Sequence, residues 1–585
     1  MSTYIRLTDY KDSDSKEQGF FKSENRYEAK QSDFEKIPGS PIAYWVSDGI
    51  KEIFQNKNIG QFASPVKGLD TCNNDLYVRE WFEVNIEKIG FKILDIAMTL
   101  NSYKWFPYNK GGDFRKWYGN NENITLWEND GEVLRNLRDV NGKIKSRPQN
   151  TKYYFKKGGT WSSISSYSLS VRLMKNSIFG GGGSAIFPND DINYMIAFMN
   201  SKVLINLVKI LNPTLNMLVG DISNSPIIFP KQNSIKQTID QLTQQCIDIS
   251  KEEWDSRETS WDFTKNELLK HKSDNKLESA YNNYCSYWRE KFYQLHSNEE
   301  ELNRLFIDIY ELGDELTPEV ALKDITILKS ESIINEDKNI EFKADEIMKQ
   351  FISYAVGVMF GRYSLDSDGL VVANLGSDAL VSQMSDETKV SFPIDEDNVI
   401  PVLEDDYFSD DIASRVVSFV KTTFGAESLS ENIAFIEKCL GKTIRAYMVK
   451  DFYEDHIKRY KKRPIYWMVS SPKKGFMSLS YMHRYTSDLF ARVQNNYLRE
   501  YITKLEGTLT NQEHIANDSS NSPTQRAKAA KEIDRINKKI EELIKCDRES
   551  ITKFAQNRIE LDLDDGVKAN YLKFMEILYP IKGME

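Results

Sequence analysis

Ile533, Ile536, Ile540 and Leu543 recur at alternating spacings of three and four, and Leu498, Ile502, Leu505 and Leu509 do the same upstream. Each set is a coiled-coil-like apolar seam on one helix face. The polar segment Asn517 to Ser522 separates them, and Ser522 before Pro523 reads as an N-cap with proline at the first helical position. The pattern predicts an antiparallel helical hairpin. Leu302, Leu305, Phe306 and Ile309 stand at i, i+3, i+4 and i+7, one buried stripe of an amphipathic helix. A helix is also predicted from Ile192 to Leu211, with Asn189 and Asp190 as N-cap candidates after Pro188 and Asn212-Pro213 as its stop. Another spans Glu331 to Phe360 and ends at Gly361. Between Asn101 and Lys175 the apolar positions keep no helical period, which predicts short strands and exposed loops.

These elements describe an α+β multidomain chain. A mixed α/β region with short strands covers residues 1–232 and is closed by Pro226 and Pro230. A helical connector (233–330), an α+β region (331–490) and the hairpin with a tail (491–585) follow, the C-terminal part being largely helical. At 100–200 residues per domain, 585 residues hold about three to five domains. The 40% hydrophobic and 28% charged fractions exclude disordered, collagen-like and disulfide-scaffold classes. No apolar run reaches the roughly 18 residues of a membrane span, and the N-terminus has no signal-peptide core. A cytoplasmic protein without a membrane partner is therefore expected. Cys72, Cys246, Cys285, Cys439 and Cys546 share no Cys-x-x-Cys pair, as suits a reducing compartment.

The formal net charge of −10 hides two basic patches. Asn101 to Lys175 carries 14 Lys+Arg against 6 Asp+Glu, together with 13 aromatic residues. Its sharpest stretch is KWFPYNKGGDFRKWYGN, Lys104 to Asn120. Lys104, Lys110, Arg115 and Lys116 are candidates to neutralise phosphates. Trp105, Tyr108, Trp117 and Tyr118 offer flat faces to bases, and Asn109 has the amide geometry to pair with an adenine edge from a loop tip. Gly111-Gly112 allows a close approach or a tight turn. The alternative is a hairpin whose aromatics fill a core while its lysines stay solvated. Arg147, Tyr153, Tyr154, Lys156, Lys157, Trp161, Ser162 and Ser163 repeat the theme. The second patch, KRYKKRPIYW from Lys458 to Trp467, is followed by Lys473-Lys474, and Gly441 to Glu500 holds 13 Lys+Arg against 5 Asp+Glu. It reads as a phosphate-tracking surface or as a solvated face. Ser391 to Asp411 has eight acidic residues and no Lys or Arg, which predicts a solvated acidic loop.

Several chemistries are missing from the sequence. The 16 prolines are all isolated, so the Pro-Pro-aromatic loop that grips a flipped adenine in amino-methyltransferases has no counterpart. No phosphate-cradling P-loop and no Gly-x-Ser-x-Gly elbow occurs, and the five histidines never approach metal-ligand spacing. No catalytic or metal-binding residue is therefore assigned. Phe179 to Ser184, with four consecutive glycines, reads as a turn between two strands rather than a cofactor loop, because Ala185 to Pro188 continues as a strand. Glu341-Phe342-Lys343 reads as an exposed charge pair.

At Lys104 to Asn120 the sequence closely resembles the target-recognition region of the PglX family, the large adenine-specific DNA methyltransferases of BREX phage defence, which have a type IIG restriction-modification-like architecture. Other segments match in the same order: Gly68 to Asp75 (GLDTCNND), Ala197 to Pro230, Ser256 to Phe263, Glu301 to Val320, Ile352 to Asp366 and Leu561 to Tyr571 (LDLDDGVKANY). Cys72 stands where the family has glycine, at a position needing a positive-φ turn. Tyr4 to Tyr10 resembles the segment just after the family's catalytic domain, so the match is to the C-terminal half. The resemblance implies a DNA target-recognition domain over 1–232 that contacts double-stranded DNA through Lys104, Trp105, Tyr108, Asn109, Lys110, Arg115, Lys116, Trp117 and Tyr118. Arg147, Lys156 and Lys157 form a second tier. It also implies that the S-adenosylmethionine-binding and Asn-Pro-Pro-Tyr parts lie on a separate or missing N-terminal half, as in a split subunit or a truncated product. Such a chain is not catalytic alone, and its partners are that half or other BREX components. The alternative function is a protein-interaction scaffold without DNA affinity, joining the defence complex through the hairpin (Tyr497 to Phe554) and the acidic loop.

Overall fold

The computed structural model describes residues 1–164, 167–386 and 388–584, and its architecture is α+β. Two four-stranded sheets build the first region. One runs Ala63–Val66, Gly183–Pro188, Gly158–Ser162, Val171–Met174, all antiparallel. The other runs Val78–Glu80, Asn123–Leu126, Trp105–Asn109, Ile178–Phe179, with the last pair parallel. Every residue of Gly158–Ser162 and of Trp105–Asn109 is buried, so these are central strands covered on both faces. A small core of Phe106, Tyr108, Trp127, Tyr154, Phe155, Phe179 and Phe187 joins the two sheets. The four-glycine run is a turn between strands, as expected, and it is tightly packed. A Cβ on Gly183 would lie 2.4 Å from the Asn109 carbonyl oxygen, and one on Gly68 would lie 1.8 Å from that of Phe179. Cys72 adopts φ 61°, so the left-handed turn forms without glycine, its N–H donating to Asp70 Oδ1.

The helix predicted over Ile192 to Leu211 is two helices, Ile192–Asn200 and Lys202–Leu211, bent by 67°. Ser201 causes the break by capping the second helix through Leu204 N–H, while Asn200 turns inward to bond both backbone groups of Val171. The N-cap of the first is Asp191, not Asn189 or Asp190. No single helix among the described residues is long and apolar enough to cross a membrane. Helices Asn233–Asp255 and Leu277–Ile309 pack together as the connector. The buried stripe of the latter is centred on Leu302, Asn303, Phe306 and Ile307, with Leu305 and Ile309 only half-buried.

The helix predicted from Glu331 begins only at Ala344. A hairpin of Ser332–Ile334 and Ile340–Phe342 precedes it, turned by Asn335, whose side chain accepts from Asn339 N–H. Helix Ala344–Met359 stops at Gly361, φ 80°. The acidic segment 391–411 is not a solvated loop. Val399, Ile400, Val402 and Leu403 are buried, and Ile400–Pro401 forms the edge of a sheet with Met477–Tyr481 and Tyr466–Ser470. Asp411 is fully buried, capping helix Ile412–Phe424 and pairing with Arg445 at 2.9 Å. The hairpin is as expected: Arg499–Asn517 and Pro523–Cys546, with Ser522 and Gln525 in a capping box and Pro523 at the helix start. Gln494 and Arg499 meet Asp547 at its base, so the arms are antiparallel.

Candidate nucleic-acid interface

Most of the aromatic and charged side chains in Lys104 to Asn120 face the protein interior. Lys104 reaches Asp564 at 2.7 Å, Lys88 reaches the same oxygen at 2.8 Å, and Trp105 Nε1 donates to the other oxygen at 3.2 Å. Burial pulls the Asp564 carboxyl upward, but the hydrogen bonds from Lys104 and Lys88 hold it below its ordinary value. Arg79 donates to the carbonyls of Asp564 and Asp565, and Val567 N–H donates to buried Glu83. Two stretches that carry the family resemblance, Lys104 to Asn120 and Leu561 to Tyr571, thus lock together.

The second half of the stretch docks on the connector. Arg115 lies over Trp254 and bonds Glu253 at 2.6 Å, with further bonds to the carbonyls of Tyr118, Ser250 and Thr326. Lys116 Nζ and Trp117 Nε1 share Glu299, at 2.6 and 2.8 Å, one oxygen each. Trp117 takes φ 68° to make this turn. Burial works against the Glu253 charge, yet Arg115 and Arg257 together hold its carboxyl down to about 2. Tyr108 donates to the Leu69 carbonyl, and burial pushes the Tyr108 and Tyr118 hydroxyls upward.

Asn109 does not project from a loop tip. It is 4% exposed in strand Trp105–Asn109, and its Nδ2 donates to Ser177 Oγ at 2.6 Å. In this structure Trp105, Tyr108, Asn109, Lys116, Trp117 and Tyr118 are buried, and Lys104 and Arg115 are half-buried in ion pairs. Asn109→Ala is accordingly expected to cost about 1–3 kcal/mol by leaving the Ser177 hydroxyl unsatisfied. A lowered urea midpoint reads this cost.

The exposed members of the candidate set are Lys110, Arg147, Lys156 and Lys157. Arg147 is placed by a two-way backbone bridge to Asp70, and Asn150 bonds the carbonyl of exposed Lys67. Lys152 and Lys156 flank the Tyr153 ring, whose hydroxyl meets Ser64. Lys110 opens a different surface. It lines a cleft of about 140 Å³ with Arg79, Lys461, Arg463 and Lys568, against Asp75, Glu80, Glu83 and Asp565. The second basic patch therefore meets the first at this cleft. Lys461 also lines a neighbouring cleft of about 740 Å³, walled by Arg115, Trp254, Arg257, Glu258, Tyr354 and Arg459, among others. The local excess of charge in each stretch is visible in the sequence; their convergence is not, because Lys461 is positioned by its ion pair with Glu122, hundreds of positions away.

No family model matches the chain. Its whole length is similar to adenine-specific methyltransferases. One is the adenine-specific methyltransferase PglX of Lacticaseibacillus casei (strain Zhang), 38% identical over 613 aligned residues that cover 100% of this chain and 49% of that protein. Another is the adenine-specific methyltransferase BrxX of Escherichia coli O9:H4 (strain HS), 36% identical over 578 residues, covering 95% of this chain and 46% of that protein. The resemblance to the BREX-type PglX family therefore extends along the entire chain. The chain spans about half the length of these curated relatives.

Proposed function

We propose that the chain is the target-recognition half of a PglX-type adenine-specific DNA methyltransferase of BREX phage defence. It holds double-stranded DNA for a methyltransferase half that binds S-adenosylmethionine and acts on the adenine taken out of the stack. The observation that carries the reading is the meeting of the two basic stretches, far apart in sequence, at the Lys110 cleft beside segments resembling the family's recognition region. Lys110, Arg463 and Lys568 are the phosphate contacts there, with Arg147, Lys156 and Lys157 as an outer tier. The buried aromatic and ion-paired residues act by holding the strand that presents Lys110.

Mobility shift of a duplex across a salt series tests this. Lys110→Ala, Lys568→Ala and Lys156→Ala should each weaken binding on all sequences and reduce the log–log salt slope by about 1 per lost contact. An unchanged slope in all three, with the fold intact by circular dichroism, overturns the interface. The chain alone should transfer no methyl group to DNA and should regain activity when a methyltransferase half is added. The second reading, a scaffold for other BREX components, is favoured by the exposed tip of the hairpin around residues 511–528. A complex with those components that persists at high salt, without DNA affinity of the chain, would be its mark.

A further inference from the structure

Leu137 to Arg147 (LRDVNGKIKSR) folds into a β-ribbon with an ordered tip. Lys145 N–H donates to the Leu137 carbonyl at 2.9 Å and Asp139 N–H to the Lys143 carbonyl at 2.8 Å, with Arg138 and Ile144 paired between them. Val140, Asn141 and Gly142 make the turn. Gly142 takes φ 79°, the left-handed residue that closes a three-residue hairpin loop. Asp139 Oδ1 accepts from Asn141 N–H and Lys143 N–H, both at 2.9 Å. The one acidic side chain of the ribbon is thus committed to its own turn.

The base of the ribbon is anchored. Ser146 is fully buried and donates to the carbonyl of buried Leu134, and Arg147 exchanges two backbone hydrogen bonds with Asp70, at 2.8 and 3.1 Å. Leu69 N–H donates to the Phe179 carbonyl at 2.8 Å, and Gly180 N–H to that of Asn109, the residue before Lys110, at 2.9 Å. The ribbon therefore stands on the same frame as Lys110. What it presents is cationic. Arg138, Lys143, Lys145 and Arg147 are exposed, and none has a carboxylate within ion-pair distance among the described residues. At the tip Val140 is fully exposed, and the exposed Asn141 side chain has no hydrogen-bond partner among the described residues. Turns favour Gly, Pro, Asn, Asp and Ser, so the turn itself does not call for a β-branched residue in water.

We infer that this ribbon enters the major groove of duplex DNA, where Val140 reads thymine and Asn141 reads adenine while Arg138, Lys143 and Lys145 hold the flanking phosphates. A B-form major groove, about 12 Å wide, admits a two-stranded β-ribbon. Val140 meets the thymine C5-methyl group, and the Asn141 amide pairs with N6 and N7 of adenine. Charge complementarity selects the occupant: the four unpaired cations suit a polyanion, and a duplex carries one negative charge per roughly 1.7 Å of its axis. The inference rests on the DNA-binding reading above and adds to it the element that chooses sequence.

The test uses the full chain, a mixed-sequence duplex and the sites that the parent selects from a randomised duplex pool. Lys143→Ala combined with Lys145→Ala should weaken the mixed-sequence duplex and lower the log–log salt slope by about 2. Asn141→Ala should lose the preference for adenine at one selected position, by about fivefold or more, with the mixed-sequence duplex hardly affected. Deoxyuridine in place of thymine removes only the methyl group; it should weaken the parent at one position and leave Val140→Ala indifferent. All four positions are exposed, so urea midpoints should stay at the parent's value. The inference is overturned by an unchanged slope in the lysine pair, or by Asn141→Ala selecting the same sites as the parent. In either case duplex binding by the parent that falls in Lys110→Ala leaves the DNA-recognition reading standing. A parent that binds no duplex overturns both.

Discussion

Replacing Glu253 by alanine is expected to destabilise the fold by about 3–5 kcal/mol, the range for removing one partner of a buried ion pair. Glu253 is only 4% exposed and serves Arg115 at 2.6 Å, Arg257 at 2.8 Å and Leu328 N–H at 3.1 Å. Its removal strands the Arg115 guanidinium, while Arg257 keeps both oxygens of Glu331, and it undocks the Arg115 turn from the connector. The same carboxylate gives the fold an acid limit. Its folded value of about 2 lies below the ordinary 4.5, so its ionised form contributes stability that is fully present above the unfolded value and is lost as pH falls through that window toward 2. Urea midpoints measured down the acid limb should decline for the parent and decline less steeply for Glu253→Ala. Parallel limbs, or a midpoint at neutral pH unchanged by the substitution, would contradict this account.

Asp564→Ala is the second large effect, expected at about 2–3 kcal/mol. It is smaller because Lys88 and Lys104 are partly exposed, with side chains at 41% and 34%, and regain water when released. Trp105 Nε1 has no such recourse and is left unpaired in the core. Asp564→Asn retains an acceptor for Trp105 and should recover part of the loss. Amide exchange should locate the damage: strand Trp105–Asn109 and residues 562–571 should both open faster, although they are hundreds of positions apart. Faster exchange confined to the tail would mean that the sheet holding Trp105–Asn109 stands without it.

The hairpin could be read from the sequence because its causes are local: two apolar seams, a polar loop, and Ser522-Pro523 at the restart. The end of the Ala344–Met359 helix at Gly361 is local in the same way. The errors share an opposite origin. Lys116, Trp117, Arg115 and Lys104 look like surface chemistry until Glu299, Glu253 and Asp564 are known to face them, and those partners lie 138 to 460 positions away. The break at Ser201 was masked because apolar residues continue on both sides of it. In the acidic segment the charge count outweighed the run Val399 to Leu403, which is what enters the sheet. For the candidate interface, the sequence held the charged stretches and Lys110; which of the other residues face solvent depended on contacts made across the whole chain.

The bond between Lys104 and Asp564 also bears on how the molecule is made. The two residues are 460 positions apart, so at roughly 5–20 residues per second the ribosome releases the second some 20–90 s after the first. Throughout that interval Arg79, Lys88 and Lys104 are together without their counter-charge, and Trp105 Nε1 has no acceptor. In a nascent chain the sheet that holds strand Trp105–Asn109 therefore lacks this lock until translation has passed residue 567. A message cut short before that point yields a product in which Lys104 and Trp105 never meet their acceptor.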